Sequence, residues 1–388
     1  MKYVTLSNGF AIPMIGMGTY PQKGELEELI PTAYQTGYHL FDTSDNYNNE
    51  GFYGIGYRKL TDNDKIITIT KFSTPFEDFF DVYENSVTEI YNTEKKRNLV
   101  YLLHWPYPHM YLKLWELMED LYFEGKCDVI GVCNFEVKHL SVLLDNCRVK
   151  PMINQIECHP LFQQREICEF CEQNNIQLMA YSPIGRMHSF LSENQLLNKL
   201  ATKYEKTIPQ VILRWHIQKD RVVIPATKSK QRLKENINIF DFQLTKQEVD
   251  EIDKLDCGLR IRFDPNKRFS DSEVKAMKNE SFFMNYDNKE TKPYLIIYGS
   301  GVYGKQLCKF LKRIGSKVDF FCQTNKEEIR EVYNIPIIDI NSLKNINGKK
   351  IILIAIKNKE VSKDIKLDLE NEDTVVYDCK KIIEEIYF

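Results

Sequence analysis

The stretch YHLFDTSDNYNNE, residues 38–50, runs from a short apolar segment into polar residues at its end. Seven similar apolar segments occur in the first 230 residues, separated by helical patterns of about 10–20 residues. Eight strands that each precede a helix predict a parallel (β/α)8 barrel, although a doubly wound open sheet needs a similar alternation. The predicted strands are IGMGTY (15–20), YHLFDTS (38–44), KIITITK (65–71), LVYLLHW (99–105), VIGVCNF (129–135), MINQIE (152–157), QLMAYSP (177–183) and RVVIPAT (221–227).

The alternation divides the chain into three regions. Residues 1–260 form the predicted barrel, which starts with a hairpin at the Asn8-Gly9 turn rather than with a signal peptide. Residues 261–292 are charged and irregular, and we interpret them as a linker that flanks the substrate. Residues 293–388 return to short strands and helices, which predicts a small Rossmann-like α/β domain.

Composition excludes several classes of protein. The 388 residues include 52 Lys and Arg against 55 Asp and Glu, and a net charge of -3 argues against electrostatic binding of nucleic acid. No run approaches the 18 or so apolar residues of a transmembrane helix, so no membrane association is expected. The 10 cysteines need no disulfide role in a chain of this length, which predicts reduced thiols and a cytoplasmic location. Cys168 and Cys171 lack a second pair with ligand spacing, so no metal site is predicted.

Polar side chains occur near the carboxyl ends of six consecutive predicted strands. In a parallel barrel these ends meet at one rim, where catalytic groups of such folds lie. Any one of these residues alone is more often structural, but their shared position predicts an active site. In chain order they are Asp42, Lys71, His104, Asn134, Gln155 with Glu157, and Tyr181 with Ser182.

These segments resemble the aldo-keto reductase family over residues 3–260. FDTSDNYNNE (41–50) is similar to the family's Phe-Asp-Thr-Ala-x-x-Tyr-x-Asn-Glu signature, and ITITK and YLLHWP match its lysine and histidine segments. GKCDVIGVCNF, NQIECHP and AYSPIG follow in the family's order. The resemblance implies a catalytic tetrad, and its four members are Asp42, Tyr47, Lys71 and His104.

The chemistry of these four side chains suits carbonyl reduction. No side chain donates hydride, so a nicotinamide cofactor has to supply it, while Tyr47 would protonate the developing alkoxide. A positive charge on Lys71 favours tyrosinate and is expected to lower the pKa of Tyr47 by at most about three pH units. Asp42 would hold that ammonium group, and His104 would orient the substrate oxygen. The alternative for Asp42 and Lys71 is a purely structural buried ion pair.

The same resemblance implies how the cofactor is bound. Asn134 and Gln155 would hold the carboxamide, with the nicotinamide ring stacked on Tyr181. Cys133 replaces the serine usual in the family, and a thiol is a weaker hydrogen-bond donor. His159 is expected to be structural. The residues assigned to the cofactor are Gly18, Thr19, Tyr20, Asn134, Gln155, Tyr181, Ser182, Pro183, Ile184, Thr227, Lys228, Arg232, Glu235 and Asn236.

The segment after the eighth strand bears on the choice between NADPH and NADH. Where the family often has Lys-Ser, this chain has Ala226 and Thr227. Arg232 stays at the family's phosphate-binding position, and Lys228 is nearby. A basic loop with a hydroxyl group suits a 2′-phosphate, so NADPH is favoured over NADH.

A second glycine pattern, GSGVYG, occupies residues 299–304 after the strand YLIIY. Gly299, Gly301 and Gly304 match the Gly-x-Gly-x-x-Gly pattern of dinucleotide sites. The next strand ends without an acidic residue for a ribose, since Asp319 comes too early. The region resembles small Rossmann-like domains appended to bacterial sugar-modifying enzymes, which implies a nucleotide-sugar ligand. A docking or oligomerisation module that needs glycine only for a tight turn is the alternative.

Two functions follow from the sequence. The first is an NADPH-dependent reductase that converts an aldehyde or ketone, sugar-derived carbonyls included, to an alcohol. The second is a sensing or scaffolding protein that binds the cofactor, turns over negligibly and binds a nucleotide or nucleotide-sugar in its C-terminal domain. The complete tetrad favours the first.

Overall fold

The computed structural model describes residues 1–93, 98–284, 294–313, 317–324, 331–333, 335–346, 350–356, 358–371 and 374–379. These residues form two compact units. The first comprises Met1–Thr74, Phe80–Tyr107 and Leu114–Phe269, and the second comprises the described parts of Pro75–Phe79, Pro108–Lys113 and Ser270–Phe388. The predicted linker 261–292 and the predicted domain 293–388 each include residues outside the described set.

A hairpin precedes the barrel, as predicted. Strands β1 (Tyr3–Thr5) and β2 (Ala11–Pro13) pair antiparallel, and Val4 lies opposite Ile12. Gly9 adopts a φ of 88° in the turn, a conformation that glycine reaches without steric cost.

Eight parallel strands form the main sheet of the first unit, in an order that follows the chain. Their residues are buried on both faces, as expected for strands that helices cover. The strands are β3 (Met17–Gly18), β4 (Leu40–Asp42), β5 (Ile67–Phe72), β6 (Leu99–Leu103), β7 (Val129–Cys133), β8 (Ile153–Glu157), β9 (Gln177–Tyr181) and β10 (Val222–Val223).

The sheet closes into a barrel through its first and last strands. Parallel bridges join Ile15 to Val223 and Gly18 to Ala226. The backbone N–H of Gly16 also donates to the carbonyl of Val223 at 2.9 Å. The predicted (β/α)8 barrel is therefore confirmed, and the open-sheet alternative is wrong.

Helices follow the barrel strands in the expected alternation. They are α1 (Leu26–Thr36), α2 (Glu50–Arg58), α3 (Phe79–Tyr91), α4 (Tyr111–Phe123), α5 (Val137–Asn146), α6 (Arg165–Gln173), α7 (Ser189–Ser192), α8 (Gln195–Tyr204), α9 (Ile208–Gln218), α10 (Lys230–Ile237) and α11 (Lys246–Asp253). Helix α12 (Asp271–Met284) then begins the C-terminal part of the second unit. None of the helices in the described part of the chain has the length and apolar character needed to cross a bilayer.

The described C-terminal residues form a six-stranded sheet in the order β13-β14-β12-β11-β15-β16. All neighbouring strands are parallel except β13, which pairs antiparallel with β14 at one edge. This is the order of a doubly wound Rossmann-type sheet with its switch point between β11 and β15. The elements are β11 (Tyr294–Tyr298), α13 (Val302–Arg313), β12 (Phe320–Gln323), β13 (Glu331–Val332), β14 (Ile335–Asp339), α14 (Ile340–Lys344), β15 (Lys350–Ile354), α15 (Lys359–Leu369) and β16 (Thr374–Asp378).

Candidate active site

A cavity of about 630 Å³ opens at the carboxyl ends of the barrel strands. Parallel strands bring their ends to one rim, so residues far apart in sequence line the same space. The predicted site residues in its wall are Gly18, Tyr20, Asp42, Tyr47, His104, Asn134, Gln155, Tyr181, Ser182, Pro183 and Ile184. The wall also includes residues that we did not predict, among them Asn46, Trp105, Arg186, Arg262, Phe263 and Arg268.

Lys71 and Asp42 form an ion pair that is almost completely buried. The ammonium Nζ lies 2.8 Å from Asp42 Oδ1 and donates to the carbonyl of Thr43 at 2.6 Å. Gln155 Nε2 donates to the same carboxylate oxygen at 2.7 Å. Burial disfavours the ammonium charge, but Asp42 and Tyr47 together keep the pKa of Lys71 above its ordinary value. Lys71 is therefore a fixed cation below the cavity.

Tyr47 lies directly above this cation. Its hydroxyl is 3.5 Å from Lys71 Nζ, and the ammonium lies 5.0 Å from the centre of the ring. Burial raises the pKa of Tyr47 to about 12, and Lys71 opposes this increase only in part. Lys71 lowers the pKa of Tyr47, as expected, but burial is the larger effect, so the pKa lies above that of free tyrosine and not below it. The phenol keeps its proton at neutral pH.

His104 follows β6 and lies edge-on to Tyr47, with 5.9 Å between the ring centres. Its Nδ1 is 2.5 Å from Ser73 Oγ and 3.3 Å from Ser44 Oγ. Burial holds the pKa of His104 well below its usual range, with further lowering by Lys71, Arg268 and Arg262. The imidazole is therefore neutral, and a hydroxyl that donates to Nδ1 leaves the proton on Nε2. Sequence reasoning missed Ser73, although it follows the predicted strand of Lys71 by only two residues.

The polar groups predicted for the nicotinamide lie beside these four residues. Asn134 adopts a φ of 62° after β7, and its Nδ2 donates to the carbonyl of His104 at 3.0 Å. Tyr181 donates its hydroxyl to Asn134 Oδ1 at 2.8 Å. The thiol of Cys133 is buried outside the cavity wall, and burial raises its pKa. Thr19 is also buried, and its backbone carbonyl accepts from Asn49 Nδ2 at 3.2 Å.

The residues predicted to bind the adenosine phosphate lie after β10 and do not line this cavity. Thr227 accepts from the N–H of Ser229, and Ser229 caps α10 through the N–H of Arg232. Lys228 forms an exposed ion pair with Glu25 at 2.7 Å. Of the other residues predicted here, Arg232 is exposed, Glu235 is half-buried and Asn236 is buried.

Glu157 has a role that the sequence did not reveal. Its buried carboxylate accepts from the backbone N–H groups of Ile261 and Arg262 at 2.7 and 3.0 Å. His159 Nε2 lies 3.0 Å from the same carboxylate, which fits its predicted structural role. Glu157 thereby fixes the segment after α11 at the barrel rim. This contact is remote in sequence, so no local pattern indicated it.

The C-terminal glycine loop joins β11 to α13. Gly299 has a φ of 109°, and a side chain at Gly304 would come within 1.7 Å of the Gly299 carbonyl. Tight packing therefore explains these two glycines, whereas Gly301 borders open space. Asp319 precedes β12 and accepts from the N–H of Leu295 at 2.9 Å, away from the strand end. Nucleotide binding at this loop stays a prediction.

The described residues include no cluster of side chains that would support metal binding. No group of three or more His, Cys, Asp or Glu side chains there is placed to hold a metal ion. Cys168 and Cys171 have separate partners, because Cys168 donates to the Gln163 carbonyl while Cys171 accepts from Asn154.

Comparison with known proteins identifies relatives of this chain. A family model described as the Aldo/keto reductase family matches residues 13–256. The 9,11-endoperoxide prostaglandin H2 reductase of Trypanosoma cruzi is 37% identical over 281 residues, which are 70% of this chain and 97% of that protein. The glyoxal reductase of Bacillus subtilis is 36% identical over 272 residues, 68% of this chain and 96% of that protein. A solved variant of Gox0644 in complex with NADPH is 31% identical with a TM-score of 0.65, covering 69% of this chain and 99% of that one.

Proposed function

Since the chain belongs to the aldo/keto reductase family, we propose that it reduces a small aldehyde or ketone with Tyr47 as the general acid. The chain is an NADPH-dependent carbonyl reductase of this family. The observation that carries the proposed roles is the cluster of Tyr47, Lys71, Asp42 and His104 at one end of the cavity. It favours turnover over a sensing or scaffolding role.

The chemistry of the cavity wall suits a nicotinamide. Asn134 and Gln155 offer amide groups and Tyr181 offers a half-buried aromatic ring, all in the wall that contains Tyr47. NADPH supplies the hydride when it is bound. Asn134, Gln155 and Tyr181 would hold its carboxamide end, and Thr227, Lys228 and Arg232 would hold its 2′-phosphate end.

Tyr47 is the proposed proton donor of the reaction. Its hydroxyl transfers a proton to the carbonyl oxygen as negative charge develops there, and the resulting tyrosinate faces Lys71 Nζ, 3.5 Å away in the resting site. At this separation and an effective dielectric of about 20, the attraction amounts to at most about 5 kcal/mol. Asp42 keeps the ammonium in place. Lys71 therefore acts after proton transfer, by stabilising the product tyrosinate.

His104 orients the substrate. A neutral imidazole that accepts at Nδ1 from Ser73 presents an Nε2–H donor, which binds the carbonyl oxygen without competing for the Tyr47 proton. Ser73 is in this sense a positioning residue, because it selects the tautomer that donates.

Small reactive carbonyls are the proposed substrates. The Bacillus subtilis relative is a glyoxal reductase, and relatives from Escherichia coli, Yersinia pestis and Salmonella typhimurium are methylglyoxal reductases. Sugar-derived aldehydes belong to the same chemical class, so we include them.

Turnover with NADPH and a panel of aldehydes, followed by cofactor absorbance, tests this function. Tyr47→Phe is expected to lower kcat by about 10²- to 10⁴-fold, since the general acid is lost. Binding of NADPH, measured by fluorescence, is expected to stay within about twofold of the native value because Tyr47 is not proposed to hold it. Full activity of the phenylalanine variant would refute the role of Tyr47.

The C-terminal sheet supports a separate proposal, which is a nucleotide or nucleotide-sugar ligand at Gly299–Gly304. Its support is that the loop ends β11 at the switch point of the sheet, where doubly wound folds bind ligands. Calorimetric titration of the full chain with a nucleoside diphosphate tests it, and no detectable heat at millimolar concentration would refute it.

A further inference from the structure

Two arginines in the cavity wall have no role in the proposed reaction. Arg262 and Arg268 lie in the segment after α11, both half-buried. Within the described part of the chain, neither guanidinium makes a hydrogen bond or an ion pair; their contacts are with aromatic rings. Half-buried arginines that face a cavity without a counter-charge are costly unless a ligand pairs with them.

Both arginines lie one aromatic ring away from the proposed reacting groups. The guanidinium carbon of Arg262 is 5.6 Å from the ring centre of Tyr20, and that ring is 5.0 Å from Tyr47. The corresponding carbon of Arg268 is 5.5 Å from Trp105, and that ring stacks on His104 at 5.7 Å. Arg262 and Arg268 therefore flank the end of the cavity where the carbonyl would bind. Both also contribute to the low pKa of His104, as expected of nearby cations.

The segment that carries Arg262 and Arg268 is firmly attached to the barrel. Glu157 accepts from the backbone N–H groups of Ile261 and Arg262, as described above. Farther along, Asn266 Nδ2 donates to Glu136 Oε2 at 2.8 Å. The N–H groups of Cys257 and Leu259 also donate to the carbonyl of Leu161. The two guanidinium groups are thus presented from a fixed backbone, which favours specific binding over a general surface charge.

The charges that line the cavity leave it positive. Asp42 is the acidic side chain in the described wall, and Lys71 already pairs with it. Arg186, Arg262 and Arg268 supply three cations. Arg186 adjoins the strand end proposed for the cofactor, whereas Arg262 and Arg268 adjoin Tyr20 and Trp105. The latter two are therefore available to the substrate.

We propose that Arg262 and Arg268 form an anion subsite, so that the preferred substrate carries a carboxylate or phosphate group in addition to its carbonyl. A guanidinium group binds either anion through two parallel hydrogen bonds, and the aromatic faces hold it in a preorganised orientation. This inference rests on the proposed reductase function and specifies the substrate class of the same site.

Matched substrate pairs test the inference with the full-length protein and NADPH. Each pair compares an anionic aldehyde with a neutral one of similar size: succinic semialdehyde with butanal, carboxybenzaldehyde with methylbenzaldehyde, and glyceraldehyde phosphate with glyceraldehyde. The first two pairs probe a carboxylate and the third probes a phosphate. We expect kcat/KM to favour at least one class of anion by about 10- to 100-fold, and the preference to shrink as salt is added.

Substitution of the two arginines then locates the preference. In Arg262→Gln, in Arg268→Gln and in the double variant, the anionic-to-neutral ratio of kcat/KM is expected to fall by about tenfold or more. Lys267→Gln is the matched control, because it removes a positive charge from the same segment at a side chain that is 83% exposed and outside the cavity wall. The anionic-to-neutral ratio of kcat/KM of Lys267→Gln is expected to match that of the native protein.

The outcomes separate the two proposals. A protein that reduces neutral aldehydes but shows no anionic preference, or a preference that survives the double variant, overturns the anion subsite and leaves the reductase function standing. A loss of NADPH affinity in the arginine variants with an unchanged substrate ratio assigns the arginines to the cofactor and also overturns the subsite. Failure to reduce any carbonyl refutes the proposed function itself.

Discussion

The ion pair between Lys71 and Asp42 combines structural and proposed functional roles at the scale of single residues. The side chain of Lys71 has no exposed surface and that of Asp42 is 5% exposed. Two charges this deeply buried are costly unless every polar atom is satisfied, and here Thr43, Gln155 and Tyr47 complete the set. Removal of one of the two charges is therefore expected to destabilise the protein more than removal of both.

Asp42→Asn is expected to destabilise the folded protein by about 3–5 kcal/mol, because it leaves the ammonium of Lys71 buried without a counter-charge. Urea denaturation at neutral pH measures this change in the free energy of unfolding. The double variant Asp42→Asn, Lys71→Met removes both charges and is expected to recover part of the loss. A single variant as stable as the native protein would contradict the argument.

Glu50 shows how a titratable side chain joins elements of secondary structure. It begins α2, is buried, and accepts hydrogen bonds from Thr70 on β5 and from Ser86 on α3. Burial raises the pKa of Glu50 from 4.5 to about 8, partly offset by the Thr70 hydrogen bond. The carboxyl group therefore stays protonated in the folded protein over a range in which the unfolded chain has released its proton.

This difference predicts how stability depends on pH. As pH rises from 4.5 to about 8, ionisation of Glu50 favours the unfolded chain and lowers the free energy of unfolding by at most about 5 kcal/mol. Glu50→Gln keeps the shape of the side chain and removes its titration. The decrease in the free energy of unfolding between pH 4.5 and about 8 is therefore expected to be smaller in this variant. Urea denaturation at several pH values measures it, with Glu84→Gln on the surface of α3 as a control. Equal pH dependence in the native protein and Glu50→Gln would contradict the assignment.

The elements differ in how far the sequence predicted them. The eight strands and the rim position of Asp42, His104 and Tyr181 were predictable, because apolar runs and strand ends are local patterns. Helix α12 was not predicted, since its apolar residues have no helical period. Its start was nevertheless encoded by Ser270 and Glu273, which form reciprocal capping hydrogen bonds.

Contacts between distant segments account for what the sequence could not predict. Glu157 holds the backbone at Ile261 across 104 residues, so the path of the segment that carries Arg262 and Arg268 depends on the folded barrel. The effect of burial on the pKa of Tyr47 was not predicted for a related reason, because the depth of its burial depends on many surrounding residues.

At the scale of the whole molecule, the described C-terminal sheet has two apolar clusters. In the C-terminal region, Ile297, Phe310 and Leu353 belong to a cluster on one side of the sheet. Ile296, Ile352 and Leu369 belong to another cluster on the opposite side. Alternation along β11 and β15 supplies both clusters, as a doubly wound sheet requires.

The relatives are matched by only part of this chain. The Trypanosoma cruzi and Bacillus subtilis proteins are matched over 97% and 96% of their length by 70% and 68% of this chain. The proposed tetrad and the cavity wall lie within residues 18–268.

A chain shortened to residues 1–284 is therefore expected to fold and to reduce neutral aldehydes with kcat/KM within about threefold of the full-length value. Parallel assays of the two proteins with butanal and NADPH, together with circular dichroism of both, measure this. A folded short chain whose kcat/KM falls more than about tenfold would show that the C-terminal sheet contributes to the reaction, and would contradict the view that the barrel unit is a complete reductase.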